Sequence, residues 1–239
     1  VSMRMVVKYS KGEKVKYISH LELMRALHRA LRRAGIPVAF SQGYNPQPKT
    51  AFAMPLSVGM TSEGEYMDIT LEAYMKAETF CQRMNDVLPD GIQLLKAVEV
   101  DESLPSLMSL IDRALYLITL PDPPEDMDKK LNSFLAQREI IVRKDGKRGE
   151  RLINIRPMIL QADIISSQGR ETVIKAMLST GSREYLNPEH MIKAFLTYAE
   201  GNDSEACYKI HRVDMFISGN NGCLTPLELG RGGSVWVSG

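Results

Sequence analysis

The spacing of apolar and polar positions changes period several times along the chain. Residues 3–10 (MRMVVKYS) alternate loosely and are rich in Val and Tyr, which predicts a strand. Lys11-Gly12-Glu13-Lys14 reads as a turn and Val15–Ile18 as a short extension. The period then becomes helical: Leu23, Met24, Leu27, Ala30, Leu31 and Ala34 fall on one face. Ser19 followed by Glu22 is a capping box, in which each side chain satisfies a backbone N–H that the first turn leaves unpaired. Gly35 stands where a helix ends in a left-handed residue, and Pro37 blocks continuation, so the helix is expected over 20–34. Pro37–Ser41 predicts a strand edge, and Gln42–Lys49 (QGYNPQPK) a loop broken by Gly and two Pro. Thr50–Ser57 and Glu65–Leu71 read as strands joined around Gly64. Residues 76–87 follow as a helix stopped by Pro89-Asp90-Gly91, and 92–100 as a strand. The order βαββαβ is the ferredoxin-like arrangement.

The second half repeats that order in its elements, not in its letters. Strands are expected over 114–120, 139–143, 151–165, 171–178 and 208–217. Helices are expected over 124–137 and, with Asn187 as N-cap and Pro188 at the first position, up to Ala199. Ser218–Asn221 reads as a turn. The stretch from Gly230 (GRGGSVWVSG), with the lone Trp236, reads as flexible. The expectation is an α+β protein of two tandem ferredoxin-like (βαββαβ) units with antiparallel sheets, over 1–103 and 104–217, and a tail over 218–239.

Composition narrows the function class. Of 239 residues, 44% are apolar and 25% charged, so a packed core is expected and disorder is not. No apolar run reaches the roughly 20 residues that span a bilayer, and the first ten residues lack a signal peptide's apolar stretch. The cytoplasm is therefore the expected compartment, without a membrane partner. Cys81, Cys207 and Cys223 form no CxxC pair and read as buried, inert thiols. His20, His28, His190 and His211 stand apart from Cys and carboxylates at metal-ligand spacing, so no metal and no cofactor is expected. His20, at the first helical position, is expected to support the cap. Charge is uneven although the net is only +1: residues 1–60 are strongly basic and 61–110 strongly acidic. Only if the fold keeps those blocks apart does it generate a field that binds a polyanion.

Four guanidiniums, Arg25, Arg29, Arg32 and Arg33, share the polar face of the first helix, with Glu22 alone opposing them. A solvated helix face is the plain alternative. Such faces usually mix Glu with Lys, whereas Arg makes bidentate contacts to phosphate and stacks on bases. In the following loop, Gln42, Tyr44, Asn45, Gln47 and Lys49 could present donors and one ring to a ligand, or serve only as a rigid turn. A second basic cluster, Arg143, Lys144, Lys147, Arg148, Arg151 and Arg156, is diluted by Asp145 and Glu150 and reads as an exposed hairpin. Glu63, Glu65 and Asp68 assemble no acid/base pair, and their expected role is to pair with the basic helix.

Several of these runs resemble one family. They are Tyr17-Ile18-Ser19-His20-Leu21-Glu22-Leu23-Met24-Arg25, Arg29 to Pro37 (RALRRAGIP), Ser41 to Lys49 (SQGYNPQPK), Leu56-Ser57-Val58-Gly59 and Ser62 to Asp68 (SEGEYMD). His211-Arg212 also suits it. They are similar to the radical SAM-linked proteins, an uncharacterised bacterial family encoded beside, or fused to, a radical SAM protein that often bears a cobalamin-type domain. The likeness is dense over 3–72 and thin from there to about 217. That family often has Asp at Glu22, a harmless exchange in a capping box, and His at Gln47, which cannot be replaced by Gln in proton transfer. The resemblance implies a partner rather than a reaction: a non-catalytic accessory or substrate-recognition partner of a radical SAM protein, with RNA as candidate ligand of the basic helix. The chain lacks the CxxxCxxC triad of a radical SAM enzyme. One alternative is a stand-alone RNA-binding or RNA-processing (endoribonuclease-like) protein with two ferredoxin-like units; another is an enzyme of unknown chemistry with an active site built from His20, Tyr44 and Glu65, which only fold analogy to tandem ferredoxin-like endoribonucleases permits. No RNP aromatic pattern supports an RRM.

Overall fold

A computed structural model describes residues 2–146, 149–201, 207–219 and 222–230. Among these are eleven strands and five α-helices, an α+β composition whose strands pair mostly antiparallel. They form two compact units, the first reaching to Asp112 and resuming at Arg212, the second running from Arg113 to His211. The first unit begins with β1 (Met3–Lys11), α1 (His20–Arg33), β2 (Thr50–Phe52), β3 (Thr61–Leu71), α2 (Ala77–Asn85), β4 (Ile92–Val100) and the single turn α3 (Leu107–Leu110). The second holds β5 (Arg113–Pro121), α4 (Met127–Leu135), β6 (Ile141–Gly146), β7 (Gly149–Asn154), β8 (Ile159–Gln168), β9 (Glu171–Ser179) and α5 (Pro188–Glu200). Strand β10 (Lys209–Gly219) enters the first unit at Arg212, and β11 (Gly222–Leu224) follows it.

In the first unit the sheet order is β4-β1-β3-β10, with β2 on β3 and β11 on β10. Helix α1 forms where its cap and stripe require. The Ser19 hydroxyl accepts from Glu22 N at 3.3 Å, and the Glu22 carboxylate accepts from Ser19 N at 2.7 Å. Leu23, Leu27, Ala30 and Leu31 are buried. They share one core with Phe80 and Met84 of α2 and with Met5, Val7, Met67 and Ile69 of the sheet. This leaves the opposite face of α1 to solvent.

In the second unit the sheet order is β5-β9-β8, and β6 and β7 form a separate two-stranded ribbon. Tyr116, Ile118, Ile174 and Leu178 are buried with Leu131 of α4 and Met191 and Ile192 of α5. The Phe134 and Phe195 rings meet edge-on at 5.4 Å between centroids.

Several boundaries differ from expectation for local reasons. Lys11, expected in a turn, is a buried strand residue facing Ile92 across β1 and β4. Gly64, expected to join two strands, lies inside β3, where a Cβ would stand 2.4 Å from Asp214 Cα. The glycine is there so that β10 can approach. Strand β2 stops at Phe52 and does not reach Ser57, because the carbonyls of Met54 and Pro55 turn to a side chain. Residues 37–41 make only the isolated bridges Val38–Leu71 and Phe40–Pro48. A 3-10 turn over Arg156–Met158, with Pro157 in it, divides 151–165 into two strands. Residues 222–230 form β11 and a 3-10 turn over Pro226–Leu229. Asn220, Asn221 and the stretch from Arg231, including Trp236, lie outside the described residues. Among the described residues, no helix is long and apolar enough to cross a membrane.

Candidate functional site

Burial of the Leu23–Leu27–Leu31 stripe fixes where the polar residues of α1 point. At about 100° per residue, Arg25, Arg29 and Arg32 fall within a sector of about 60°, and all three are exposed. None of their side chains makes a hydrogen bond or ion pair among the described residues. Arg33 is different: it donates to the Val87 carbonyl at 2.6 Å and so ties α1 to the end of α2. Glu22 sits one turn before this row, its carboxyl held below the usual range by its bonds to Ser19, with Arg25 adding a smaller pull.

Arg25 and Arg29 also line a concavity of about 410 Å³, together with Glu22 and Pro89 and an apolar floor of Val15, Ile18, Ala26 and Ile92. On the other flank of α1, His28 Nε2 meets Thr50 Oγ1 at 2.8 Å. That bond anchors the foot of the Gln42–Lys49 loop, because Thr50 directly follows exposed Lys49. The loop closes on itself through Ser41 N to the Gln47 carbonyl at 2.9 Å and Gln47 N to the Ser41 hydroxyl at 3.0 Å. Gln47 also donates to the Asn45 side chain at 3.3 Å. Gln42 and Asn45 are exposed, and the Tyr44 ring, 106% exposed, touches nothing that covers it.

Glu65 and Asp68 do not pair with this helix, contrary to expectation. Glu65 forms a buried ion pair with Arg212 at 2.9 Å, the two side chains 4% and 1% exposed. Arg212 also donates to the carbonyls of Met54 and Pro55 at 2.9 and 3.3 Å. Asp68 pairs with Arg4 at 3.1 Å, and Arg4 in turn donates to carbonyls of Leu104 and Pro105. Lys8 and the Tyr66 hydroxyl both reach Asp214 at 2.6 Å. Lys14 meets Asp90 at 2.8 Å, and Lys16 meets Glu13 at 2.7 Å. Much of the basic block is thereby neutralised within the first unit, and the arginine row of α1 is not.

A knot of buried polar groups surrounds the Glu65–Arg212 pair. Lys11 Nζ donates to the Lys16 and Ile18 carbonyls at 3.0 and 3.2 Å, fixing the chain where it enters α1. Burial lowers the Lys11 ammonium pKa, partly opposed by Glu65. Burial raises the Tyr9 phenol well above its ordinary value, and Glu65 adds to the rise. His20, half-buried edge-on to Phe52 at 5.6 Å, is held down by desolvation, with Glu65 opposing. Every buried side-chain N or O has a partner among the described residues, so the knot is a satisfied structural element. The trio His20, Tyr44 and Glu65 is not assembled: Glu65 is committed to Arg212, and Tyr44 stands in solvent. The buried structural roles of Lys11 and Arg212 are not legible in the sequence. Their only signal was position, Lys11 in an apparent turn and Arg212 beside His211 in the resemblance.

In the second basic cluster Arg143, Lys144 and Arg151 are exposed on the β6–β7 ribbon, with Arg143 3.7 Å from Glu150. Lys147 and Arg148 lie outside the described residues. Arg156 is spent on the Leu135 and Ile159 carbonyls at 2.6 and 3.0 Å. The cysteines are not uniformly buried: Cys81 is half-buried with its thiol pushed up to about 11, while Cys207 and Cys223 are exposed. Among the described residues no three His, Cys, Asp or Glu side chains stand close enough to hold a metal.

These features define an α+β protein with an unneutralised basic helix. The chain belongs to the family described as "Uncharacterized protein conserved in bacteria (DUF2344)", whose model matches residues 4–188. No curated protein matches it. Among solved structures it is similar to a chain of a Cbf5-Nop10-Gar1 complex, at 11% identity over 88% of this chain and 48% of that one, TM-score 0.47. A chain of the archaeal box H/ACA sRNP Nop10-Cbf5 complex gives 11% identity, 87% and 46% coverage and TM-score 0.45. This chain thus spans about half the length of those two. The acetolactate synthase small subunit from Thermotoga maritima gives 12% identity, 92% and 99% coverage and TM-score 0.27. With TM-scores below 0.5, none of the three bears on the function of this chain.

Proposed function

We propose that this protein is a non-catalytic substrate-recognition partner of a radical SAM protein, and that it holds RNA by its phosphates along Arg25, Arg29 and Arg32. One observation carries the RNA part: three exposed guanidiniums share one narrow sector and make no ion pair among the described residues, with Glu22 exerting only a weak pull on Arg25, while Arg4, Lys8, Lys14, Lys16 and Arg212 are each paired. A row left unneutralised keeps its attraction for a polyanion. The loop bearing Tyr44 and Lys49 is anchored to the same helix through His28, so it supplies a ring and a cation to the same ligand. The radical SAM partnership is supported by the sequence resemblance over 3–72. We also read both units as ferredoxin-like. Strand order β4-β1-β3 with β2 on β3 supports this in the first, and β5-β9-β8 with helices α4 and α5 in the second.

The test is a triple variant, Arg25→Ala, Arg29→Ala and Arg32→Ala, titrated with a fluorescein-labelled single-stranded RNA over a salt series. None of the three belongs to the buried stripe, so the variant should melt like the parent. The slope of log affinity against log salt should fall by about 0.7 for each phosphate that is no longer neutralised. An unchanged slope and affinity would place the working surface elsewhere. Co-purification with a radical SAM protein of the same cell checks the partnership, and its absence from stringent pull-downs in both directions would remove that part.

A further inference from the structure

We infer that the concavity beside Arg25 and Arg29 receives an unpaired nucleobase, so that this surface selects single-stranded over duplex RNA. The inference rests on the RNA-binding reading above and specifies its ligand.

A phosphate-binding surface needs only cations. This one has more: Arg25, Arg29 and Pro89 share a concavity of about 410 Å³ with an apolar floor of Val15, Ile18, Ala26 and Ile92. That volume lies within the range of ligand-binding clefts, roughly 300–1,000 Å³. A nucleobase has an apolar face and needs no specific donor to be buried against carbon. Arg25 and Arg29 lie one helical turn apart, about 6 Å along the axis, and can take phosphates on either side of the inserted base. Ala26 makes the floor possible, because any larger residue at that position would stand in the space. Glu22 closes one end with a carboxylate committed to the Ser19 cap. An anionic strand is therefore repelled there and runs from Arg25 towards Arg32. A base pair within a duplex cannot enter, since its faces are stacked and its edges lie in the grooves.

Electrostatics alone predicts the opposite preference, because duplexes have the higher charge density and the steeper salt dependence, about 0.9 against 0.7 per neutralised phosphate. The two readings therefore separate in one experiment on the full chain. Fluorescence anisotropy would compare a twelve-nucleotide single-stranded RNA, the duplex of the same sequence, an abasic strand of the same length and a glutamate homopeptide. The single strand should bind at least tenfold more tightly than the other three. Ala26→Leu, a favourable exchange in a helix, fills the floor. It should abolish the preference over duplex and leave the salt slope unchanged. If the duplex or the abasic strand binds as tightly as the single strand, or if a folded Ala26→Leu keeps the preference, the base-binding inference is overturned and the phosphate row survives. Binding of the homopeptide as tight as that of the single strand would overturn it in favour of an acidic protein partner. If no RNA binds, both readings fall.

Discussion

Arg212 offers the sharpest test of how the first unit is held together. Its guanidinium is 1% exposed and satisfies Glu65 and the carbonyls of Met54 and Pro55. Arg212→Met keeps most of the volume and removes every one of those bonds. It leaves a buried carboxylate without its cation, a change that typically costs about 3–5 kcal/mol. Glu65→Leu strands the cation instead and should cost a similar amount. The double variant removes both charges together, so its loss should be smaller than the sum of the singles by about 1–3 kcal/mol. With a urea slope of about 2–3 kcal/mol per molar, each single variant should move the unfolding midpoint down by roughly 1–2.5 M. Circular dichroism against urea measures all four proteins. Singles that lose less than about 1 kcal/mol, or a double that equals their sum, would refute the claim that this pair is a buried, mutually dependent structural bond.

Three further outcomes follow from neighbouring features. Gly64→Ala would place a Cβ 2.4 Å from Asp214 Cα and 2.6 Å from the Val213 carbonyl, both backbone atoms. It should cost more than about 3 kcal/mol or abolish soluble expression, and normal melting would contradict that packing. Burial holds the His28 pKa below its ordinary value. In the unfolded chain the ring therefore binds a proton at higher pH than in the fold, so His28 contributes stability above about pH 6.5 that is lost as pH falls towards the folded value. His28→Gln should flatten the midpoint-versus-pH curve between pH 7.5 and 5.5, and an unaltered curve would exclude His28 as its source. Maleimide at pH 7.5 should label exposed Cys207 and Cys223 well before Cys81, whose thiol is pushed up to about 11. Simultaneous labelling of all three would contradict the burial of Cys81.

Helix α1 shows what a sequence can disclose. Its cap, its stripe and its stop are local, and the expected span of 20–34 differs by one residue from His20–Arg33. The exposure of the arginine row followed from the same stripe. The fate of the acidic residues did not, because it depends on partners far along the chain: Glu65 and Arg212 are 147 residues apart. Lys11 and Gly64 misled for a related reason. Each has the composition of a turn, and each is held in a strand by a neighbour that local spacing does not reveal, Ile92 opposite the first and Asp214 against the second. The groove beside Arg25 required the placement of Pro89 and Ile92 against α1, which is again a matter of tertiary packing.

The first unit resumes only at Arg212, and this sets an order of events at the ribosome. At about 5–20 residues per second, several seconds separate the emergence of Asp112 from that of Arg212. Throughout that interval Glu65 lacks its cation, and Lys8 and Tyr66 lack their carboxylate, since Arg212 and Asp214 do not yet exist. The nascent amino-terminal segment must therefore wait, incompletely closed, while the whole second unit is made. A gene fragment ending at residue 112 encodes a protein that never receives its last pieces, and any dissection of this molecule has to carry the segment from Arg212 along with the first.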